Sequence, residues 1–271
     1  MATVEKLENL DSSDCTRWGT KAAALARLVR RGYNIPSAVV LEALPHELTE
    51  EDFRNIALTA AILGAGPLAV RSSSANEDRP ESAAAGRYLT TLHVLGDENL
   101  RAAVSACRMS ADGFPMAVII QKQVPATAAG VAFSVNPVTG DPGQALVSAV
   151  QGLGDKLVSG EATPEEWTVT ADPVRTTSGA VPVLSPAQAQ RVASLARQTA
   201  REFEAPQDIE WALDEDDLFL LQARPVTALV RPVPLPVSVP SGYWHRESVH
   251  WPLPRTPMTR HGFEPGAGTP Q

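Results

Sequence analysis

Apolar residues first recur at helical spacing between Lys21 and Arg30, where Leu25, Leu28 and Val29 form a stripe among alanines. Gly32 follows at the place a left-handed C-terminal cap requires, so the spacing predicts a short helix. Pro36 to Glu42 reads as a buried strand. Thr49 then precedes Glu50, Glu51 and Asp52, whose charges oppose the positive end of a helix dipole, and this second helix should end at Gly64. Leu68 to Val70 predicts a short strand running into Arg71-Ser72-Ser73-Ser74, and Asp97 to Met109 a third amphipathic helix.

From Met116 the pattern changes. Met116 to Lys122, Gly130 to Val135, Gln144 to Val150 and Glu165 to Thr170 are strand-like runs separated by proline and glycine turns. Ser185-Pro186-Ala187-Gln188 combines an N-cap, a proline at the first helical position and a capping-box glutamine, so a helix should run to about Phe203. Asp208 to Leu213 and Leu218 to Ala223 flank Asp214-Glu215-Asp216-Asp217 as a hairpin with a charged tip. After Thr227 the chain is proline-rich: its last 43 residues hold 9 of the 23 prolines, which predicts an extended arm. The expected organisation is an N-terminal subdomain over 1–115, a C-terminal one over 116–228 and a linker or arm over 229–271. Mixed helices and strands make the fold class α+β.

At 271 residues and 44% apolar content the chain can bury a core, and its net charge of −8 excludes a general nucleic-acid binder. Its longest apolar stretches, such as Met116 to Ile120, are far short of a membrane span. Cys15 and Cys107 lie too far apart in sequence for a disulfide framework or a clustered thiolate site, which points to a reducing cytoplasm.

The hairpin is the most informative local feature. Side chains alternate along a strand, so Asp208, Glu210 and Ala212 share one face and Ile209, Trp211 and Leu213 the other. Leu218, Leu220, Gln222 and Arg224 should likewise share a face. With a three-residue loop, Glu215 to Asp217, Glu210 lies opposite Gln222 and Asp208 opposite Arg224; a two-residue loop would break this register. Carboxylate and amide oxygens are hard donors of the kind Mg²⁺ prefers, and a guanidinium beside them can hold a phosphate; an ordinary solvated salt-bridge cluster is the competing account. Arg71, where a strand gives way to serines, and Lys21, opening a helix against its dipole, are further anion-binding candidates, with solvated surface residues as the alternative. Gly152-Leu153-Gly154-Asp155 is a glycine-rich loop whose backbone can approach a nucleotide or simply turn. Neither metal spacing nor a nucleophilic triad is visible among the five histidines, and His245 and His250 lie in the arm.

Taken in order, these segments resemble the nucleotide-binding domain of the phosphoenolpyruvate synthase and pyruvate phosphate dikinase family, which includes rifampin phosphotransferases. The resemblance covers about residues 15 to 228. It rests on Gly19-Thr20-Lys21 with its alanine-rich helix, AVRSSSANEDRPESAAAG at 69–86, MAVIIQKQVP at 116–125, AGVAFSVNPVTGD at 129–141, GLGDKLVSGEATPEEW at 152–167 and DIEWALDEDDLFLLQARPVT at 208–227. It implies an ATP-grasp fold with ATP held between two subdomains. Lys21, Arg71 and Arg224 would contact phosphates, and the Gln121 to Val124 segment, including Gln123, would be the adenine hinge. Gly152 and Gly154 would approach the nucleotide, while Glu210 and Gln222 would hold Mg²⁺ with Asp208 assisting. The family's GGKGAxL start is Gly19-Thr20-Lys21-Ala22-Ala23-Ala24-Leu25 here, two glycines fewer, and its Ser-Phe-Ala-Gly stretch is Ala83-Ala84-Ala85-Gly86. Relatives usually add a swivelling phosphohistidine domain and an acceptor domain, neither of which this sequence contains. The implied activity is therefore ATP-dependent phosphoryl transfer to a histidine on a separate protein, with AMP and phosphate as products and the final acceptor unspecified. A self-sufficient small-molecule kinase and a non-catalytic nucleotide-binding subunit are the alternatives.

Overall fold

The structure, a computed structural model, describes residues 1–75, 89–111, 114–154, 163–171, 174–176, 182–226 and 229. Strand β1 (Val4–Lys6) leads into helix α1 (Cys15–Arg30), followed by β2 (Ala38–Leu44) and α2 (Glu50–Ala60). Next come β3 (Leu68–Ser73), β4 (Thr90–Val94), α3 (Gly96–Met109) and β5 (Met116–Lys122). Then β6 (Ala128–Phe133), β7 (Ala145–Gln151), β8 (Glu165–Val169) and β9 (Val174–Arg175) precede α4 (Pro186–Phe203), and β10 (Gln207–Asp214) and β11 (Asp217–Pro225) form the hairpin. The motif residues Ala83–Gly86, Asp155, Ser159 and Gly160, and the arm from 230 onward, lie outside the described residues.

Two antiparallel sheets result, in the orders β1-β2-β5-β3-β4 and β11-β10-β6-β7-β8-β9. The architecture is α+β, as the element pattern predicts. The expected partition at 115/116 falls one strand early, because β5 hydrogen-bonds between β2 and β3 at the centre of the first sheet. Its six leading residues are all buried, so a run of apolar side chains marks a strand covered on both faces but does not say which sheet owns it. The break between sheets comes after Lys122.

Caps set the helix boundaries. Thr49 and Asp52 form a capping box on α2, Ser185 and Gln188 form another on α4, and Pro186 sits in the first turn of α4. Helix α1 starts earlier than predicted, at Cys15, capped by Asp14, whose carboxylate accepts from Arg17 N–H, and it kinks at Gly19 (φ 75°, ψ 161°). One face of the first sheet packs under α2 and α3 through Val39, Leu41, Val70, Val118 and Ile120. The other core holds Trp18, Leu25 and Leu28 of α1, Val40 and Ile119 of the first sheet, and Ile209, Trp211 and Leu220 of the second, with Val192 and Ala196 of α4. Among the described residues no helix is long and apolar enough to cross a membrane.

Candidate active site

Alternation along β10 sends Ile209, Trp211 and Leu213 into the core and leaves Asp208, Glu210 and Ala212 on the opposite face. Gly130 lies opposite Trp211, and a Cβ there would stand 1.9 Å from the Ser148 carbonyl oxygen and 3.0 Å from the indole, so glycine is what lets β6 pass. The hairpin register is Asp208 opposite Arg224 and Glu210 opposite Gln222, the two pairings expected. They arise by a different route. The turn holds two residues, Glu215 (φ 51°) and Asp216, and a β-bulge between Glu210 and Trp211 absorbs Leu221 and restores the register. The bulge also corrects the expected faces: Leu218 and Leu220 pair with Leu213 and Trp211 on the core side, whereas Gln222 and Arg224 pair on the side of Glu210 and Asp208. The sequence signal was the run Leu218-Phe219-Leu220-Leu221, too continuous for strict alternation.

That outer face of β10 looks onto a cavity of about 290 Å³ between the sheets. Its lining includes Ala69 and Arg71 of β3, Gln121 and Lys122 of β5, Ala129 and Val131 of β6, Leu153 and Gly154, and Glu210 and Leu221 of the hairpin. Gln123, Val124 and Ala126, in the crossover between the sheets, complete it. Ala126, Ala129, Leu153 and Leu221 were not anticipated as site residues; they form an apolar wall with Val124.

Arg71 sits inside β3 rather than beyond its end, only 7% exposed, so the expected projection out of the sheet end is corrected. Its Nη1 donates to Glu210 Oε2 at 2.9 Å, joining the two sheets across the cavity. Its Nε is buried and has no hydrogen-bond partner among the described residues. Arg224 Nε donates to Asp208 Oδ2 at 2.8 Å. Burial pushes the Asp208 carboxyl above the usual carboxylate range; the Arg224 charge opposes this and the Glu210 charge adds to it.

Two expected hinge residues spend their side chains locally. Gln121 Nε2 donates to the Pro36 carbonyl at 3.2 Å, and Gln123 Oε1 accepts from His93 N–H at 2.7 Å. Gly154 lines the cavity, whereas Gly152, at φ 77°, lies at the end of β7 beside it. Lys21 is half-buried in the first turn past the Gly19 kink and is not part of the cavity wall. Its charge reaches the Cys107 thiol, which burial raises to about 12. The turn holding Lys21 is fastened to the end of β3, because Thr20 N–H donates to the Ser74 carbonyl and Ala22 N–H to Ser73 Oγ. The two predicted anion-binding segments therefore meet, although only Arg71 reaches Glu210.

An α+β domain with an ionic and apolar cleft between two antiparallel sheets is what the geometry defines. The sequence matches the model of the pyruvate phosphate dikinase AMP/ATP-binding domain over residues 2–182 and 171–234, and the chain belongs to that family. It is 33% identical to the prodigiosin synthesizing transferase PigC of Serratia marcescens over 80% of this chain and 32% of that protein. It is 34% identical to a rifampicin phosphotransferase of Streptomyces over 61% of this chain and 24% of that protein. A probable phosphoenolpyruvate synthase of Methanothermobacter thermautotrophicus is 30% identical over 83% of this chain and 38% of its own length. The chain thus spans between a quarter and two-fifths of these relatives. Among solved structures it is similar to D-alanine-D-alanine ligase from Helicobacter pylori, with a TM-score of 0.47 and 13% identity over 81% of this chain and 56% of that one.

Proposed function

We propose that the cleft is an ATP-grasp site from which this module, drawing on the cytoplasmic ATP pool, passes a phosphoryl group to a histidine on a separate domain or partner protein. The observation that carries this reading is the meeting of Arg71 and Glu210, 139 residues apart, in a cavity that also holds an apolar wall of Val124, Ala126, Ala129, Leu153 and Leu221. A nucleotide is such a two-ended ligand: a flat base that seeks apolar walls, and a polyphosphate that seeks cations.

In this reading Val124, Ala126, Ala129, Leu153 and Leu221 sandwich the adenine. Val124 N–H has no backbone partner among the described residues and suits a ring-nitrogen acceptor. Gln121 and Gln123, committed to Pro36 and His93, shape the hinge and leave recognition to its backbone. Gly154, and Gly152 beside it, let the loop backbone come close to the nucleotide. Arg71, Lys21 and Arg224 bind phosphate oxygens. The donor set suits Mg²⁺, because Glu210, a carboxylate on the cavity wall, lies directly opposite the amide of Gln222 in the hairpin. Asp208, held by Arg224, assists by orienting that guanidinium. When bound, Mg²⁺ neutralises charge on the phosphates, and the cationic side chains hold them in line with the attacking histidine nitrogen.

The test is nucleotide analysis of the chain incubated with ATP, Mg²⁺ and candidate histidine-domain proteins. AMP, one phosphate formed when water takes the γ-phosphoryl group, and a partner histidine carrying the β-phosphoryl group are expected. ADP formed with a small substrate and no partner would replace this reading by a self-sufficient kinase, and Mg²⁺-dependent binding without consumption would replace it by a nucleotide-binding subunit. Glu210→Ala should lower metal-dependent ATP use by at least about 100-fold, and unchanged turnover would remove Glu210 from the site.

A further inference from the structure

Among the described residues, the donor set of the hairpin and β3 is electrically balanced. Glu210 gives an oxygen to Arg71 at 2.9 Å, and its neighbour on the same face, Asp208, gives one to Arg224 at 2.8 Å. Two carboxylates and two guanidiniums sum to zero, and Gln222 adds a neutral amide. Such a set has little field with which to strip water from a divalent cation. Arg71 is the stronger constraint of the two cations, because its side chain is 8% exposed against 57% for Arg224, and water screens its pairing with Glu210 less. Arg71 also keeps a buried Nε donor that has no partner among the described residues. A guanidinium with a donor to spare can take an anion that offers several oxygens and loosen its grip on a single carboxylate.

We infer that Arg71 excludes free divalent cations from the cleft by occupying Glu210, so that the site accepts the metal with its nucleotide and rejects the bare metal. The inference rests on the ATP reading above. The polyphosphate draws Arg71 away, and only then is the Glu210 carboxylate available to the cation that arrives on the phosphates. Arg71 is thus a specificity-determining residue with two opposed effects: it favours the nucleotide and disfavours the lone metal.

The test uses the full chain and Mn²⁺ alone, followed by the electron paramagnetic resonance of free Mn²⁺. Wild type should leave the ion free, whereas Arg71→Met should bind it at least tenfold more tightly. The double variant Arg71→Met/Glu210→Gln should lose the gain. Arg71→Gln, which keeps a polar side chain, repeats the measurement should Arg71→Met fold poorly. Mn²⁺ affinities that agree within twofold between wild type and the folded Arg71 variant, detectable or not, would overturn the inference. A parallel titration of wild type with Mn²⁺ and ATP together separates this from the parent reading: no uptake there overturns the ATP site itself, while uptake with no gain in the Arg71 variant overturns only the exclusion.

Discussion

At the scale of single residues, Gly19 decides whether the turn that carries Lys21 can form. Its φ of 75° lies in the left-handed region, and a Cβ would stand 2.2 Å from Ser73 Oγ and 2.3 Å from the Ser73 carbonyl oxygen. The family's start carries two further glycines that this chain lacks, yet the one it keeps is at the point of contact. Thr20, in place of one of them, adds a hydroxyl bond to the Ser74 carbonyl at 3.1 Å. Gly19→Ala is expected to destabilise the fold by about 2–4 kcal/mol, combining backbone strain with displacement of β3. It should also weaken ATP binding, since Lys21 and Arg71 lie on either side of the contact. Urea denaturation and nucleotide titration check the two effects, and an unchanged midpoint would mean that the approach is slack.

At the scale of elements, caps and alternation were readable while partners were not. Helix α4 could be bounded at both ends because Ser185, Pro186 and Gln188 are local signals. Glu210 and Gln222 could be paired because a strand repeats every two residues, but the bulge at Leu221 is a compromise between turn length and burial that no local rule fixes. The ion pair of Arg71 with Glu210 spans 139 residues and belongs to tertiary packing, so the sequence offered the two members separately. Helix α2 supplies a pH test at this scale. Asp52 is 2% exposed, and its pKa is lowered from 3.8 to about 2, first by the Thr49 backbone N–H and then by that of Ala2. A carboxylate depressed in the folded state contributes stability that is present above its unfolded value and lost as pH falls from 3.8 through about 2. The contribution is on the order of 2 kcal/mol at neutral pH. The stability gap between wild type and Asp52→Asn should therefore be wide at pH 6 and fall below half by about pH 2.5; a gap that stays constant would show that the caps work without the charge.

At the scale of the whole described unit, the two sheets look like separate lobes by hydrogen bonding but share one interior. Trp18, Leu25 and Leu28 of α1 touch the same cluster as Ile119 of the first sheet and Trp211 and Leu220 of the second, and Leu220 N–H donates to the Asn34 carbonyl just past α1. Helix α1 therefore acts as a spine for both sheets, with the cleft on the side it does not fill. Neither sheet can lose its order without exposing apolar surface that the other also covers, and this coupling should make unfolding cooperative. Calorimetry should then record one transition for the two sheets, with van't Hoff and calorimetric enthalpies in agreement. Amides in β5 and β10 should exchange with similar protection. Trp211→Ala, removing a fully buried indole, is expected to cost about 3–5 kcal/mol and to lower the protection of both strands together. Loss of protection in β10 alone, with β5 unaffected, would mean that the lobes fold independently and that α1 belongs to the first one only.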